Sequence, residues 1–594
     1  MYIRPRSPKE RTLWKNWAGN QQCAPDRIEL PASEQGLVRI VKQAAEAGQR
    51  IKVAGSGHSF TGIALTDGRL VQLDNYNRVL SIDREKMSAT VQAGISIAAL
   101  SDELDKNGLA LENLGDINYQ SISGAISTAT HGTGRAFGGI ATQVTGLRLI
   151  AGDGKVIECS AKKQPDVFSA ARVGLGALGI ISTVTLRCVK AFNLHALEAP
   201  MRVDEVLESL DEHIRDNDHF EFFWVPGTGW ALTKFNQRTN APLATRGRWR
   251  EFRDDILINN VAFGALCRIG RLRPSLIPAI ARALPSSGRV EYTDKSYRVF
   301  ASPRLIRFYE MEYGIPAEAA AEALNRVRSF IKQSGLMPIF PVEVRFTAGD
   351  DIPLSTASGR DSCYIAVHVF EGMQYQQYFE AVESIMNDYG GRPHWGKLHF
   401  QTAETLAPRY PDWERFQQVR ARVDPEGRFS NPYLDRVLGP IRTWQPQHVA
   451  QGPSLEPLAT APPARILGNG AGSGVRVRRL QPGRPLLLER RDLVLVLESE
   501  VDVVEAVEKA MTAELVGRGI VMDDERRAKT AVVVKLAALE VHGEFAGRSL
   551  LCPDYQLSRP LFRDDHRDKS VLEAVFVEDV GKAGADDGTK SVLS

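Results

Sequence analysis

The stretch VAGSGHSF, residues 53–60, places a glycine-rich loop with one histidine at the end of the apolar segment RIKVA. RIKVA is typical of a buried strand, and SEQGLVRIVKQAAEAG before it has apolar residues at helical spacing. Gly55 and Gly57 allow the backbone to approach a ligand with its N–H groups pointing at an anion, and Ser56 and Ser59 add hydroxyl donors. The loop predicts either an anion-binding nest or a plain structural turn.

Several other glycine-rich signatures do not fit. A nucleophile elbow would need glycine where Thr61 stands, and a phosphate-binding P-loop would need a Gly-Lys-Ser/Thr ending. GLGALG, residues 174–179, has dinucleotide-binding spacing, but the β-branched residues after it predict a strand where that motif requires a helix. We therefore expect a tight turn at GLGALG.

A second segment, SISGAISTATHGTG at residues 121–134, reads as another loop of small and hydroxyl-bearing residues. Two such loops can hold a long phosphorylated cofactor from two sides. His58 and His131 could instead form a metal pair, but a third ligand at suitable spacing is missing. We expect no metal site.

Composition limits the classes of partner and compartment. Lys+Arg (74) nearly balances Asp+Glu (72), so a general nucleic-acid binder is not expected. The six cysteines form no C-x-x-C or zinc pattern, which favours a reducing compartment. The N-terminus lacks the apolar core of a signal peptide, and no apolar run is long enough to span a membrane. We expect a cytoplasmic protein without a transmembrane segment.

The chain divides into segments of different texture. Residues 14–189 mix short strands with few helices, including a hairpin in VTGLRLIAGDGKVIECS. Residues 190–440 carry longer strands, HFEFFWVP, PVEVRFTA and CYIAVHVF, and helices such as DEVLESLDEHIRDN. Together they predict two α+β domains. Residues 441–475 have the composition of a flexible linker, and 476–594 form an extension without a recognisable motif.

Several motifs together resemble one family. VAGSGHSF, LENLGDINYQSISGAISTATHGTG and AARVGLGALGIISTVTL resemble the PCMH-type FAD-binding domain of the vanillyl-alcohol-oxidase flavoproteins, and within it the aldonolactone oxidoreductases. PVEVRF, GRDSCYIAVHVF, GRPHWGK and FSNPYLDRVLGP resemble that family's cap, or substrate, domain. The resemblance runs from about Trp14 to Pro440 and does not cover residues 441–594.

The resemblance implies an FAD cofactor, attached through its 8α-methyl carbon to His58. The glycine loop would contact the pyrophosphate, the second loop would follow the cofactor, and the backbone near Ile181 would meet the adenine end. The implied cofactor-binding residues are Gly55, Ser56, Gly57, His58, Ser59, Gly115, Ser121, Ser123, Gly124, Ser127, Thr128, His131 and Ile181.

The candidate catalytic residues are Glu343, Arg345 and Lys397. Glu343 and Arg345 are two residues apart in PVEVRF, so on a strand they share one face, where they can orient a polyhydroxylated ring or form a structural cross-strand ion pair. The resemblance implies that this pair faces the flavin and that Lys397 contacts substrate or flavin. The implied substrate is an uncharged sugar lactone of the L-gulono or D-arabinono class, oxidised at a ring carbinol by hydride transfer to flavin N5 to an ascorbate-type product.

The residues leave several functional points open. The acceptor that reoxidises the flavin could be oxygen, cytochrome c or a quinone, and peripheral membrane association is compatible with the sequence. An oxidase of open-chain alditols and an inactive flavin-binding scaffold are the alternative functions.

Overall fold

The computed structural model describes residues 12–247, 250, 260, 263–277 and 288–441, and the backbone of four strands beyond residue 441. The chain separates into two compact units, Met1–Pro453 and Ser454–Ser594. Most of the linker and extension expected at 441–475 and 476–594 lies outside the described residues. Among the helices that the structure describes, none is long and apolar enough to cross a membrane.

The strands and helices of the first unit follow in chain order. The strands are β1 (Trp14–Lys15), β2 (Gln22–Cys23), β3 (Arg27–Glu29), β4 (Ile51–Ala54), β5 (Arg69–Gln72), β6 (Val79–Asp83), β7 (Ser88–Gln92), β8 (Leu109–Ala110), β9 (Val144–Ile150), β10 (Val156–Ser160), β11 (Ile180–Arg187), β12 (Val189–Lys190), β13 (Asn193–Arg202), β14 (His219–Trp224), β15 (Trp230–Thr239), β16 (Val290–Lys295), β17 (Phe308–Pro316), β18 (Val342–Thr347), β19 (Ser362–Phe370) and β20 (Arg392–Pro393). The helices are α1 (Glu34–Glu46), α2 (Ile97–Lys106), α3 (Ile122–Ser127), α4 (Pro165–Arg172), α5 (Val203–Glu208), α6 (Leu210–Asp216), α7 (Phe263–Leu272), α8 (Ser296–Phe300), α9 (Ala320–Ser334), α10 (Gln376–Asn387), α11 (Ala403–Leu406), α12 (Trp413–Val423) and α13 (Pro432–Leu438).

The first domain contains two principal sheets. A parallel sheet has the order β3-β5-β4, and a five-stranded antiparallel sheet has the order β10-β9-β11-β7-β6. Helix α1 begins after Ser33, whose side chain accepts a hydrogen bond from the Gly36 N–H, and its chain leaves through Gly48 at φ +62°. The expected hairpin is confirmed, since β9 and β10 pair antiparallel.

Two segments differ from the sequence expectation. The segment 121–134, expected as a loop, contains the short helix α3, capped by the Ser121 side chain. DEVLESLDEHIRDN forms two helices, α5 and α6, because the helix breaks at Ser209.

GLGALG is a turn that enters β11, as the sequence predicted. Gly179 has φ +143°, and a Cβ there would lie 2.4 Å from the Ile150 carbonyl oxygen. Only glycine fits this conformation and this close approach.

The second domain is built on an eight-stranded sheet of order β16-β13-β15-β14-β18-β19-β17-β20. Side chains alternate between its two faces. One face is apolar and packs against α5, α6, α9 and α10; it includes Phe222 of β14, Val344 of β18 and Val367 of β19. The residues between these positions therefore point to the opposite face.

The opposite face is polar and nevertheless buried, so we call it the polar face. Register pairs Glu221 of β14 with Arg345 of β18, and Glu343 of β18 with Ala366 of β19, which in turn pairs with Glu312 of β17. These pairings bring charged side chains from three strands, β14, β18 and β17, into one layer. The expected sharing of one face by Glu343 and Arg345 is thus observed.

The last helices of the unit return to the first domain. Trp413, Phe416 and Leu434, from α12 and α13, belong to the same hydrophobic core as α1 and the first-domain sheets. From the sequence, these helices were expected in the second domain, residues 190–440. In the structure, the hydrophobic core of the first domain is built from residues near both ends of the first unit.

Asn431 holds α13 against the first domain. Its side-chain amide donates hydrogen bonds of 2.8 Å to the carbonyl oxygens of Gly62 and Leu65, and its Oδ1 accepts one of 3.0 Å from the Leu434 N–H. One buried side chain thereby caps α13 and holds the segment that follows the glycine loop.

In the second unit, the described strands are β21 (Ile466–Gly468), β22 (Val475–Arg479), β23 (Leu486–Arg490) and β24 (Leu493–Leu497). They form an antiparallel sheet of order β21-β24-β23-β22. β21 lies within the stretch 441–475 that the sequence interprets as a linker.

We expect Asn431→Ala to lower the free energy of unfolding by about 2–4 kcal/mol, because it removes a helix cap and leaves buried carbonyls without a donor. Urea or thermal unfolding of the full chain measures this loss. Asn77→Ala is the matched control, since Asn77 makes one exposed bond to the Asp74 carbonyl. An equal, small effect of both substitutions would contradict the role given to Asn431.

Candidate functional site

A cleft runs along the glycine loop of the first domain. Most of the cofactor-binding residues expected from the sequence line it: Gly55, Ser56, Gly57, His58, Ser59, Ser121, Ser123, Gly124, Ser127, Thr128 and Ile181. Residues from three separate stretches of the chain therefore meet around one cleft.

Glycine is required at the contact between the two loops. A Cβ on Gly55 would lie 2.3 Å from the Ser121 Oγ, and one on Gly124 would lie 3.0 Å from it. Gly57 has φ +71°, a conformation that residues with a side chain rarely adopt. The loops approach closely because these positions lack side chains.

Three serine side chains of the cleft have partners within the protein. The Ser56 hydroxyl donates to the Tyr119 carbonyl at 2.6 Å, and the Ser123 hydroxyl donates to the Ala93 carbonyl at 2.8 Å. The Ser121 Oγ accepts from the Gly124 N–H at 3.3 Å. Ser56 thus does not supply the free donor that the sequence suggested, and backbone N–H groups of the glycine loop are the expected donors for an anion.

His58 is half-buried at the cleft wall, where its ring stacks on Trp17 with 5.2 Å between centroids. Its Nδ1 atom is buried and has no hydrogen-bond partner. Burial and the positive charge of Lys397 lower the pKa of His58 to about 4. The imidazole is therefore neutral near pH 7, with a ring nitrogen that no protein group uses.

Gly115 and His131 do not line the cleft. A Cβ on Gly115 would lie 3.0 Å from the His131 carbonyl oxygen, so Gly115 admits the neighbouring backbone. The His131 ring stacks on Tyr364 of the polar face at 3.5 Å between centroids. His131 therefore connects the second loop of the first domain to the second-domain sheet.

On the polar face, Arg345 lies between two carboxylates. Its Nε donates to Glu221 at 2.7 Å, and its guanidinium contacts Glu343 on its own strand. Burial raises the pKa of Glu343, and the carboxylates of Glu221 and Asp116 add to this effect against the opposing charge of Arg345. Glu343 is thus the acid of this group that most readily keeps its proton.

Lys397 forms an ion pair with Glu310 of β17. His368 Nε2 lies 3.5 Å from Glu310 and 4.0 Å from Glu343, while His368 Nδ1 is 3.1 Å from the Pro341 carbonyl oxygen. Burial alone would raise the pKa of Glu310, but Lys397 and His368 outweigh it and lower that pKa. A line of titratable groups therefore extends from Lys397 through His368 to Glu343.

Backbone hydrogen bonds join the cleft to the polar face. The Phe60 N–H, two residues after His58, donates to the Gly396 carbonyl at 2.7 Å, one residue before Lys397. The Gly134 N–H donates to the Phe346 carbonyl of β18, also at 2.7 Å. These bonds hold the glycine loop and the acid-bearing strands in one arrangement.

His131, Glu312 and His394 form a buried group with side-chain atoms within 4.8 Å of one another, the spacing of metal ligands. The hydrogen bond of His394 does not suit a metal. His394 Nδ1 accepts from the Gly396 N–H at 3.1 Å, so in neutral His394 the proton lies on Nε2. His131 Nε2 lies 3.3 Å from Glu312. This trio is not the His58–His131 pair considered from the sequence.

Sequence reasoning missed Asp116, Glu221, Glu310, Glu312 and His368. A usable signal was present, because YEMEY places two glutamates at alternate positions among apolar residues and FEFFW places one glutamate among aromatic residues. That pattern indicates buried charge on one face of a strand.

Comparisons with known proteins agree with this geometry. Residues 25–160 match the family model described as FAD binding domain, and residues 184–437 match that of D-arabinono-1,4-lactone oxidase. L-gulono-1,4-lactone dehydrogenase of Mycobacterium tuberculosis is 47% identical over 432 residues, which cover 72% of this chain and 99% of the relative. L-gulonolactone oxidase of Bos taurus is 37% identical, and the match covers 72% of this chain and 98% of that relative.

The fold is similar to that of two solved cholesterol oxidases. The enzyme from B. sterolicum has a TM-score of 0.61 at 17% identity, covering 73% of this chain and 98% of that one. A solvent-stable cholesterol oxidase has a TM-score of 0.62 at 20% identity, covering 73% and 99%. These identities bear on the fold alone.

The fold and cleft define a flavoprotein with an FAD-binding domain followed by a second domain, and FAD is its cofactor. Within that class, the chain belongs to the family of aldonolactone oxidoreductases. The family resemblance expected from the glycine-loop and PVEVRF motifs is confirmed.

Proposed function

We propose that the protein is an FAD-dependent oxidoreductase that oxidises an aldono-1,4-lactone of the L-gulono or D-arabinono class at a ring carbinol to an ascorbate-type product. The observation that carries the proposal is the polar face, where Arg345 and Glu343 are buried, Lys397 is half-buried, and backbone bonds join the face to the flavin cleft. The names of the relatives support the lactone class. Nothing in the described residues favours the alditol or scaffold alternatives.

The chemistry of the cleft suits FAD. Gly55 and Gly57 belong to the glycine loop that lines the cleft, where backbone N–H groups suit a diphosphate, and the unpartnered nitrogen of His58 suits a covalent bond to the flavin. We assign the remaining cleft residues, including Ser59, Ser127, Thr128 and Ile181, to cofactor binding. FAD, when bound, supplies the acceptor for a hydride.

The chain's own groups orient the lactone and handle its proton. Arg345, fixed by Glu221, presents a guanidinium suited to an oxygen that gains negative charge. Glu343 can donate a hydrogen bond to a hydroxyl or carbonyl because its raised pKa favours the protonated form. Lys397 and His368 stand beside Glu310, where they can receive or pass on the hydroxyl proton.

The electron acceptor that we favour is a quinone or cytochrome c at a membrane surface on the cytoplasmic side, with oxygen as the alternative. Support comes from α7 and the turn after it, whose outer side exposes Ile269, Leu272 and Leu276 beside Arg268 and Arg273. From Ile256 to Val290 the sequence has five arginines and no acidic residue. Apolar side chains flanked by arginines suit an anionic lipid surface. Free cysteines in the described residues agree with a reducing compartment.

Covalent attachment is tested by acid precipitation of the purified protein. We expect the flavin to remain with the wild-type precipitate and to appear in the supernatant from His58→Ala, because no other cleft residue offers an unpartnered imidazole nitrogen. Absorbance of the two fractions is the measurement. Release of flavin from wild type would overturn the covalent linkage while leaving FAD as the cofactor.

Catalysis is tested with Glu343→Gln, which keeps the shape of the side chain. We expect kcat/KM for L-gulono-1,4-lactone to fall by roughly 10²-fold, with FAD content unchanged. Glu383→Gln is the control, since Glu383 is buried on the other side of the sheet, where it accepts the Tyr313 hydroxyl. Faster turnover of xylitol or sorbitol than of lactones would favour the alditol reading, and no turnover of either would favour the scaffold.

Membrane association is tested by sedimentation with phosphatidylcholine vesicles that contain or lack phosphatidylglycerol. We expect binding only to the anionic vesicles, weakened by salt and reduced severalfold by Leu272→Asp. Leu272 is 62% exposed, and Leu80→Asp is the control at a leucine 53% exposed on β6. Equal binding by both variants would contradict a role for α7, and self-association lost in Leu272→Asp would indicate a contact between copies instead.

A further inference from the structure

Lys52 is a buried cation beside the flavin cleft. It lies on β4, three residues before Gly55, and is only 2% exposed. Its Nζ donates to the Phe429 carbonyl at 3.0 Å and to the Gly176 carbonyl at 3.3 Å. Lys52 and Gly176 are both among the residues that line the cleft. An ammonium has three N–H donors, so these two bonds leave one for a ligand.

Within the described part of the chain, Lys52 forms no ion pair. The charged groups that face it are Arg420, Asp424, Asp435 and Arg50. Both acids have partners of their own: Asp424 accepts from the Arg428 and Phe429 N–H groups, and Asp435 accepts from the Ser430 hydroxyl at 2.5 Å and lies 3.8 Å from Arg50. Burying a cation without a close counter-ion is costly, so such a group calls for an anion from outside the protein.

We propose that Lys52 is a cofactor-binding residue whose counter-ion is the diphosphate of FAD. No signal in the glycine-loop motif assigns this role, because Lys52 precedes the loop and its side chain is on the strand. The inference rests on FAD binding and is independent of the lactone chemistry. It adds a charged partner to a cleft whose other anion donors are mainly backbone N–H groups.

This pairing makes FAD binding depend on pH. Without a ligand, burial and then the charge of Arg420 lower the pKa of Lys52 to about 7. A bound diphosphate raises that pKa, so binding takes up a proton. The affinity for FAD that the charged Lys52 contributes is complete below about pH 7. It is lost as pH rises toward the higher pKa of Lys52 in the bound form, where the Kd rises by up to about tenfold per pH unit.

The test uses the full chain carrying His58→Ala, stripped of flavin and titrated with FAD across neutral pH by flavin fluorescence. We expect the Kd to rise with pH, and Lys52→Met to raise the Kd at low pH by about tenfold or more and abolish the slope. Arg50→Met, one residue before β4, is the control, and it should keep the slope. An unchanged Kd and slope in Lys52→Met would overturn the proposal.

A second measurement needs no change at Lys52. ADP-ribose carries a diphosphate esterified at both ends, as FAD does, so it has no terminal phosphate that titrates near pH 7, and riboflavin lacks the diphosphate. ADP-ribose should therefore show the same pH slope in its Kd and riboflavin should show none. A slope with riboflavin, or none with ADP-ribose, would overturn the assignment even if Lys52→Met fails to fold. If wild-type flavin also dissociates, only the covalent linkage fails, and the same titrations run on the wild-type chain.

Discussion

The strict alternation of side chains across the second-domain sheet is the constraint on which the rest of the site depends. The helices α5, α6, α9 and α10 require an apolar face, and β14, β18, β19 and β17 supply it from every second residue. Side chains at the intervening positions must therefore point to the opposite face of the sheet. Placing glutamate and arginine there concentrates buried charge in one layer, where Arg345 is stabilised by Glu221 on the neighbouring strand and Glu310 by Lys397.

The first domain places the cofactor cleft next to this charged layer. The cleft needs glycine at the close contact of its two loops, and the same loops continue directly into contacts with the sheet. Phe60 bonds to the segment that carries Lys397, and Gly134 bonds to β18 beside Arg345. Cofactor cleft and charged layer are therefore positioned by shared backbone, which makes the distance between them a property of the fold.

The features that could be predicted were those coded within a short stretch. The glycine loop after a strand, the β9–β10 hairpin and the common face of Glu343 and Arg345 all depend on residues a few positions apart. Helix α3 was missed because Ser121 and small residues look like a loop until the cap is seen. The return of α12 and α13 to the first core was missed because the partners of Asn431 lie more than 360 positions away.

Long-range pairing also explains the missing site residues. Glu221 and Arg345 are 124 positions apart in the chain, and Lys397 and Glu310 are 87 apart, so no local sequence pattern predicts either pair. Lys52 looked like an ordinary strand lysine, since only the tertiary structure shows that it is buried without an ion-pair partner. Gly115 and His131, which were expected along the cofactor, are not among the residues that line the cleft, and the His131 ring stacks on Tyr364 of the sheet.

The most direct test of a flavin cleft coupled to a lactone-binding charged layer is to mix the flavin-loaded protein with L-gulono-1,4-lactone in the absence of oxygen and follow the flavin absorbance. We expect the yellow colour to bleach rapidly in wild type and much more slowly in Glu343→Gln, because the lactone is held where its hydride can reach the flavin. An unchanged spectrum in folded, flavin-loaded wild type with both L-gulono- and D-arabinono-1,4-lactone would contradict it.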